Sequence, residues 1–174
     1  MDPRTYWTDR FARQGKLYVA QGGRQKIFNE QMKWVPPFLR ANVFGRRVLD
    51  FGCGPGRFRK VLMEAGREYV GVDLIPDLGT EPLGESLPQG FDTAVTVMVL
   101  QHITDDADYT HWCSELYACL NPGGRLLVID HLQQSGMESH MRPRGMKAIK
   151  ATAPWAQMEQ LGEHSGHWIG LFLK

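Results

Sequence analysis

The feature that most constrains the fold of this chain is a glycine-rich turn that directly follows a short β-type run. Residues Arg47–Phe51 are mostly apolar, and Gly52-Cys53-Gly54-Pro55-Gly56 comes next without an intervening residue. Glycines at such a place allow a tight turn and let a ligand approach the backbone, which a Cβ atom would obstruct. A plain strand-to-helix turn has the same residue pattern, so a ligand site needs further support from the chain.

The residues after this turn complete a strand, helix and strand in about thirty residues, the length of a βαβ unit. The apolar residues that fall at helical spacing are Phe58, Val61, Leu62 and Ala65. Tyr69–Leu74 is again a β-type run, and it contains Asp73 near its end. A carboxylate there can accept hydrogen bonds from the two hydroxyls of a ribose. The glycine turn and Asp73 together predict a site for an adenosyl or nucleotide ligand.

The second half of the chain continues the alternation of strands and helices. Residues 91–100 form a β-branched, nearly continuous apolar run, typical of a central strand buried on both faces of a parallel sheet. We expect a helix capped by Thr104 and ending near Leu120, a turn at 121–124 and a strand over Arg125–Asp130. The pattern predicts an α/β fold with a doubly wound, Rossmann-like, mostly parallel sheet.

The C-terminal segments are expected to close the sheet. Residues 143–151 have a helical pattern, and 167–173 predict a final strand, expected to run antiparallel to its neighbour. The segment 155–161 is compatible with either a helix or a strand. Only seventeen residues separate Asp73 from Phe91, and a parallel crossover alone needs about a dozen or more. The third strand of the sheet is therefore expected to be short or absent, at an edge.

The length of 174 residues predicts one domain over 1–174, in which residues 1–44 form an N-terminal helical lid and residues 45–174 form the Rossmann-like core. Tyr6, Trp7 and Arg24 are candidates for an aromatic and cationic lid, with Arg24 pairing with a ligand carboxylate. The alternative is an amphipathic helix packed on the sheet, followed by a solvated loop. The sequence leaves both open.

A dinucleotide-binding protein shares the glycine turn and the acidic strand end, but its third glycine lies three positions after the second. That position is Arg57 in this chain. Four runs instead resemble, in order, the motifs of class I S-adenosylmethionine-dependent methyltransferases, in particular small-molecule members of the methyltransferase type 11-like group. The runs are Val48 to Phe58, Val70 to Asp73, Phe91 to Ile103 and Leu120 to Ile129.

The resemblance implies S-adenosylmethionine as the cofactor and S-adenosylhomocysteine as the product. The implied cofactor residues are Asp50, Gly52, Cys53 and Gly54 at the methionine end, Gly56 in the turn, Asp73 at the ribose, Leu74 at the adenine and the Val97 carbonyl at the methionine amino group. A contact to the adenine is expected within 85–87. The expected reaction is methyl transfer to an O or N atom of an unidentified small-molecule acceptor.

A sulfonium already makes its methyl group electrophilic, so the protein must mainly align the acceptor and exclude water. His102, just after the fourth strand, is the candidate general base; a structural hydrogen bond is the alternative role. Asp130 and His131 are second candidates. His164 and His167 have a spacing suggestive of a metal site but no acidic or thiol partners, so no metal is expected.

The composition limits the partners. A formal charge of +1 is not typical of proteins that bind phosphate backbones. A small basic patch keeps an RNA-modifying enzyme as an alternative; its members are Arg142, Arg144, Lys147 and Lys150.

Three cysteines without framework spacing favour a reducing compartment, and the lack of a long apolar run predicts a cytoplasmic protein without a membrane segment. We expect a monomer or weak dimer. A cofactor-binding regulatory subunit without catalysis is the other alternative.

Overall fold

The computed structural model describes residues 3–14, 25–75, 78, 81–132 and 139–174. The helices are α1 (Pro3–Gln14), α2 (Gln25–Asn42), α3 (Arg59–Leu62), α4 (Asp106–Ala118) and α5 (Met146–Lys150). The strands are β1 (Arg47–Phe51), β2 (Glu68–Asp73), β3 (Glu81–Pro82), β4 (Phe91–Val97), β5 (Leu120–His131), β6 (Gln157–His164) and β7 (His167–Leu173). Two 3₁₀ turns lie at Glu64–Gly66 and Leu100–His102.

In the described part of the chain, seven strands form one sheet in the order β3-β2-β1-β4-β5-β7-β6. The pairs β1–β2, β1–β4, β2–β3 and β4–β5 are parallel. Strand β7 pairs antiparallel with both β5 and β6. The predicted doubly wound, mostly parallel fold with an antiparallel final strand is confirmed, and the undecided segment 155–161 lies largely in strand β6.

The chain reverses its direction across the sheet at β1, which lies between β2 and β4. Ligands of open α/β sheets bind outside the carboxyl ends of the strands at such a switch point. The glycine turn leaves the carboxyl end of β1, so the topology puts it at this place.

Apolar side chains cover both faces of the sheet. On one face, Val35 and Leu39 of α2 pack with residues of α3 and the sheet. On the other face, Cys113 and Leu116 of α4 pack with residues of β4, β5 and α5. Strand β4 is buried along almost its whole length, because it is covered on both faces. Helix α2, inside the predicted lid region, therefore contributes directly to the core.

The third strand is short, as predicted. It comprises two residues, which pair with Val72 and Asp73 at the end of β2, and it lies at the edge of the sheet. An edge strand can shrink in this way without leaving a central strand unpaired.

Two elements around the glycine turn and β4 are shorter than the sequence predicts. Helix α3 ends at Leu62, and Ala65, expected within the helix, has a left-handed φ of 61°. Strand β4 ends at Val97, because Met98 also has a left-handed φ of 61° and turns the chain. Apolar spacing alone does not report such backbone reversals.

Three boundaries in the second half also differ. The N-cap of α4 is Asp105 rather than Thr104, since its Oδ1 accepts hydrogen bonds from the N–H groups of Ala107 and Asp108 at 2.8 and 3.0 Å. Helix α5 covers only Met146–Lys150 of the predicted 143–151. The predicted turn at 121–124 is a bulge inside β5, between the register pairs Phe91–Leu120 and Thr93–Arg125.

Candidate functional site

The glycine turn folds back onto the neighbouring strand. The N–H groups of Gly52 and Cys53 both donate to the carbonyl of Val72, at 2.8 and 3.1 Å. Gly52 has a φ of +71°, and a Cβ there would lie 2.5 Å from both γ-carbons of Val99. Only glycine satisfies both conditions, because the Val99 side chain already fills the space where a Cβ would lie.

Asp73 lies at the tip of β2 with both carboxylate oxygens turned to backbone donors. Its Oδ2 accepts from the N–H of Gly54 at 2.8 Å, and its Oδ1 accepts from the N–H of Ile75 at 3.0 Å. Burial raises the pKa of Asp73, while these hydrogen bonds act to lower it. The structure thus brings the predicted ribose carboxylate directly against the glycine turn.

Asp50, the last residue but one of β1, is a buried carboxyl group, 2% exposed. Burial raises its pKa to about 7; the hydroxyl of Tyr69, which donates to its Oδ2 at 3.0 Å, and the charge of Arg57 both oppose that rise. Burial lowers the pKa of Arg57 to about 10, against the opposing effect of the Asp50 charge. A cation and a carboxyl group of intermediate pKa therefore flank the glycine turn.

Arg57 is anchored from α2. Its guanidinium donates to the Oε1 of Gln31 at 2.7 Å, and the Nε2 of Gln31 lies 3.1 Å from the sulfur of Met98. Gln31 is buried. Through its two contacts it links Arg57, which follows the glycine turn, to Met98, the residue with a left-handed φ after β4. The sequence pattern did not assign Arg57 or Gln31 to the site. Arg57 was visible only as the residue in place of a dinucleotide-type glycine.

The other predicted cofactor residues lie around the same edge of the sheet. Cys53 is buried, its thiol donates to the carbonyl of Gly54 at 3.4 Å, and burial raises its pKa to about 12. Leu74 directly follows β2, and Val97 is the buried last residue of β4. Arg24 lies outside the described residues.

The segment predicted to contact adenine is attached to α4. The N–H of Leu87 donates to the carboxylate of Glu115 at 2.9 Å, and the carbonyl of Glu85 lies 2.9 Å from a ring nitrogen of His111. The side chain of Leu87 is buried in the core. The contacts of the Leu87 side chain are thus with the protein interior, and the exposed side chains of the segment are those of Glu85 and Ser86.

His102 lies in a cluster of aromatic rings under α1. The Trp7 ring meets it edge-on, with centroids 4.8 Å apart, and the ring of His140 lies parallel at 5.3 Å. Its Nδ1 is 3.3 Å from the carbonyl of His140, and its Nε2 is 3.3 Å from the side-chain amide of Gln101. Burial lowers the pKa of His102 to about 3, so the imidazole is neutral at neutral pH.

Helix α1 lies across the carboxyl edge of the sheet. Trp7 and Phe11 pack against Ile75 and Leu78, which follow β2, while Trp7 also meets His102, which follows β4. Near the same cluster, Tyr6 stacks on His140 with centroids 4.0 Å apart. One helix therefore bridges the loops that follow β2 and β4.

Asp130 and His131 end β5 beside this cluster. Asp130 is 1% exposed, burial raises its pKa to about 7, and its Oδ1 accepts from the N–H of His131 at 2.9 Å. The Oε1 of Gln101 lies 3.3 Å from the same N–H. Gln101 thus contacts both candidate general-base regions, a role that its sequence position did not indicate.

The remaining candidates lie apart from this edge or have structural contacts. The rings of His131 and His167 approach to 4.4 Å, but within the described ranges no three histidine, cysteine or acidic side chains form a group suited to a metal ion. Arg142 and Arg144 both pair with Asp106, at 2.9 Å each. Two of the four basic patch residues therefore hold the start of α4. No helix in the described part of the chain is long and apolar enough to cross a membrane.

A glycine turn and a strand-tip carboxylate at the switch point of a doubly wound sheet define a protein that binds a ribose-containing ligand. A model described as a methyltransferase domain matches residues 12–170, and the chain belongs to this family. The resemblance seen in the sequence motifs is therefore confirmed.

Relatives and solved structures agree with this membership. The chain is 31% identical over 109 residues to a ubiquinone biosynthesis O-methyltransferase of Xylella fastidiosa strain M23, covering 51% of this chain and 43% of that protein. The corresponding protein of Methylococcus capsulatus is 32% identical over 109 residues, covering 50% and 45%. The chain spans less than half the length of these two curated relatives.

Among solved structures, magnesium protoporphyrin IX methyltransferase from Synechocystis PCC 6803 with bound SAH superposes with a TM-score of 0.67 at 18% identity, covering 99% of this chain and 100% of that one. The methyltransferase in a complex with the Trm112 activator from Haloferax volcanii gives 0.67 at 14% identity, covering 91% and 96%. At these identities the likeness concerns the fold.

Proposed function

We propose that this chain binds S-adenosylmethionine at the carboxyl edge of β1, β2 and β4 and transfers its methyl group to an O or N atom of a small molecule. The observation that carries the proposal is the hydrogen bond between Asp73 and Gly54 at 2.8 Å, which joins a ribose-type carboxylate to the backbone of the glycine turn. The bound SAH of the Synechocystis structure and the O-methyltransferase names of the relatives support it.

The residues at this edge suit the cofactor. Gly52 lets the turn pack closely against Val99, since a Cβ there would collide with that side chain, and Asp73 offers a carboxylate to the ribose hydroxyls. The methionine end carries an ammonium and a carboxylate. We assign the ammonium to the Val97 carbonyl and the neighbourhood of Asp50, and the carboxylate to Arg57, which Gln31 holds beside the turn. Arg24 remains a predicted second partner for that carboxylate.

When bound, S-adenosylmethionine supplies a methyl group on a cationic sulfur. After transfer of that methyl group, the sulfur is the neutral thioether of S-adenosylhomocysteine. The chain must orient the acceptor and exclude water. We assign water exclusion to α1, the predicted lid, through Trp7. An acceptor hydroxyl must also lose a proton, and His102 is our candidate to receive it, since its imidazole is neutral at neutral pH.

The burial of His102 has a consequence for this role. A pKa of about 3 makes the imidazole a weak base while Trp7 and His140 cover it. A polar group of the acceptor that takes the place of the Trp7 ring beside His102 raises the pKa of the imidazole toward its ordinary value. We therefore propose that acceptor entry is coupled to movement of the Trp7 ring, while α1 continues to exclude water.

A small-molecule acceptor is favoured over RNA. Arg142 and Arg144 pair with Asp106, so half of the basic patch is already engaged, and the formal charge of the chain is only +1. The three cysteines are buried and free, which agrees with our proposal of a reducing, cytoplasmic location. A monomer or weak dimer and a non-catalytic subunit both remain proposals, and the methyl-transfer assay below tests the second of them.

Calorimetry with S-adenosylmethionine, S-adenosylhomocysteine and NAD tests the cofactor assignment. We expect one saturable site for the first two and no heat with NAD. A second assay follows a tritiated methyl group into a panel of phenols, catechols, amines and carboxylic acids. Cofactor binding with no transfer to any acceptor favours the regulatory subunit, whereas uptake of NAD alone contradicts the proposal.

A further inference from the structure

We propose that a groove between α5 and the β6–β7 hairpin binds an elongated apolar organic anion, and that the methyl acceptor is a molecule of this class. The inference deepens the proposed function and rests on it for the identity of the ligand as acceptor. The groove itself is defined by the described side chains and can be tested without the cofactor.

The groove is a cavity of about 470 Å³ with a mainly apolar lining. This volume lies within the range of about 300 to 1,000 Å³ that small-molecule sites occupy. Leu132 and Met158, which belong to its lining, are exposed by 38% and 37%, and in the described part of the chain few large hydrophobic side chains are this open. Met146 and Trp168 add apolar surface from α5 and β7. Concave small-molecule sites are lined mainly by apolar side chains with a few polar groups, and a lining of this composition favours a ligand with an apolar part.

The groove is long. Met158 and Glu163, both in its lining, pair with Phe172 and Trp168 on β7. Five residues along a strand span roughly 16 Å at about 3.3 Å per residue. At the Glu163 end, the lining also includes His131, the last residue of β5. The groove therefore runs along β6 and reaches the carboxyl edge of the parallel strands.

That end lies close to the proposed transfer site. Val97 pairs with Ile129 of β5, and Ile129 pairs with Ile169 of β7. Neighbouring strands are about 4.8 Å apart, so two spacings put β4 and β7 roughly 10 Å from one another. A molecule longer than this distance can keep its apolar part in the groove while its reactive heteroatom reaches the edge of β4.

An anionic group of the ligand has a cationic partner in the groove. Among the described residues, the lining contains one lysine, Lys147 of α5, and one carboxylate, Glu163 of β6. The carboxylate of Glu163 accepts a hydrogen bond from the amide of Gln160 at 3.0 Å, so a neighbouring side chain already solvates it. A carboxylate or sulfonate on the ligand can pair with Lys147.

A second copy of this chain is a less suitable occupant. The outer edge of β6 carries Glu159 and Glu163, and its register is interrupted between Gln160 and Gly162. Charges and bulges on an edge strand disfavour pairing with another strand. The concave shape beside that edge suits a small molecule.

The probe for the groove is 1-anilinonaphthalene-8-sulfonate, an apolar sulfonate whose fluorescence rises in apolar sites. We expect saturable binding to the wild-type chain, at least tenfold weaker binding to Met158→Lys, and a change below twofold in Met63→Lys. Met63 is the matched control, because it is 44% exposed outside the groove. We also expect Lys147→Gln to weaken binding about threefold or more, and Lys60→Gln to leave it unchanged.

Competition defines the ligand class. Dodecanoate should displace the probe at lower concentration than hexanoate, and at lower concentration than dodecanol, which has the length without the charge. Equal effects of Met158→Lys and Met63→Lys, or no dependence on chain length, overturn the inference. So does probe binding that depends on protein concentration through dimer formation in ultracentrifugation.

S-adenosylhomocysteine calorimetry on the same variants separates this inference from the proposed function. Unchanged affinity in Met158→Lys together with lost probe binding supports both. Normal cofactor affinity with no groove binding overturns the inference alone. Groove binding in a wild-type chain that takes up no cofactor overturns the proposed function, and with it the assignment of the groove ligand as acceptor.

Discussion

Asp73 and Gly54 are joined by a hydrogen bond of 2.8 Å, from the backbone N–H of the glycine turn to the carboxylate at the tip of β2. The second oxygen of Asp73 accepts from Ile75. Each carboxylate oxygen has two lone-pair positions, so both oxygens can accept a further hydrogen bond from a ribose hydroxyl. The same side chain can therefore fix the turn and bind the ligand.

We expect Asp73→Ala to weaken S-adenosylhomocysteine binding by about 10- to 100-fold, because hydrogen bonds to a charged group contribute roughly 1.5 to 3 kcal/mol. Calorimetry measures the change. Asp105→Ala is the control, since Asp105 caps α4 away from the turn and its loss lowers stability by about 1 kcal/mol. Unchanged affinity in a folded Asp73→Ala variant would remove the ribose assignment.

The assignment of Arg57 to the methionine carboxylate predicts a selective effect. 5′-Methylthioadenosine retains the adenosine but lacks the amino-acid end, so Arg57→Met should leave its affinity within about twofold. The same variant should bind S-adenosylhomocysteine at least tenfold more weakly. Arg59→Met, two residues further on in α3, should affect neither ligand. Equal losses for both ligands would show that Arg57 acts only by holding the turn.

Gly52 should tolerate no side chain. Gly52→Ala adds a Cβ at 2.5 Å from two carbons of Val99 on a backbone with a φ of +71°, and we expect the free energy of unfolding to fall by about 2 kcal/mol or more. Gly123 has a similar φ of +75°, but no atom lies within 4 Å of an added Cβ. The loss of stability in Gly123→Ala therefore measures the cost of the left-handed backbone alone, about 1 kcal/mol. Chemical denaturation compares the two. Val99→Ala should restore part of the loss in Gly52→Ala.

The order and type of the sheet elements follow from local patterns in the sequence. The β-branched run that became β4 is apolar on both faces, which only a central strand requires, and the seventeen residues after Asp73 leave room for only a minimal third strand. These are properties of consecutive residues. They therefore predict the fold class without information on distant contacts.

The electrostatics of the site depend on contacts between residues far apart in the chain, which the sequence pattern does not contain. Tyr6 stacks on His140, and Gln31 binds Arg57 from another helix. Met98 adopts a left-handed φ that its residue type does not favour. Such features result from packing of the whole fold. The resemblance implies a set of cofactor residues, but it implies neither the covered state of His102 nor the hydrogen bond that holds Arg57.

Asp130 makes stability depend on pH in a direction opposite to that of an ordinary carboxylate. Its pKa of about 7 in the folded chain lies above the unfolded value of 3.8, so the folded state holds a proton that the unfolded state has lost. The stabilisation from the protonated form is complete below pH 4 and is lost as the pH rises through 7.

Asp130→Asn removes this dependence while keeping the size of the side chain. The free energy of unfolding of the variant should therefore rise relative to wild type between pH 4 and 7, by on the order of 1 kcal/mol per pH unit. His102 and His167, whose pKa values burial lowers to about 3 and 4, act in the opposite direction. They are present in both proteins, so their effects cancel in the difference. Urea denaturation at pH 5, 6, 7 and 8 measures the difference in free energy of unfolding between the two proteins. A difference that stays constant with pH would mean that Asp130 is ionised in the folded chain across this range.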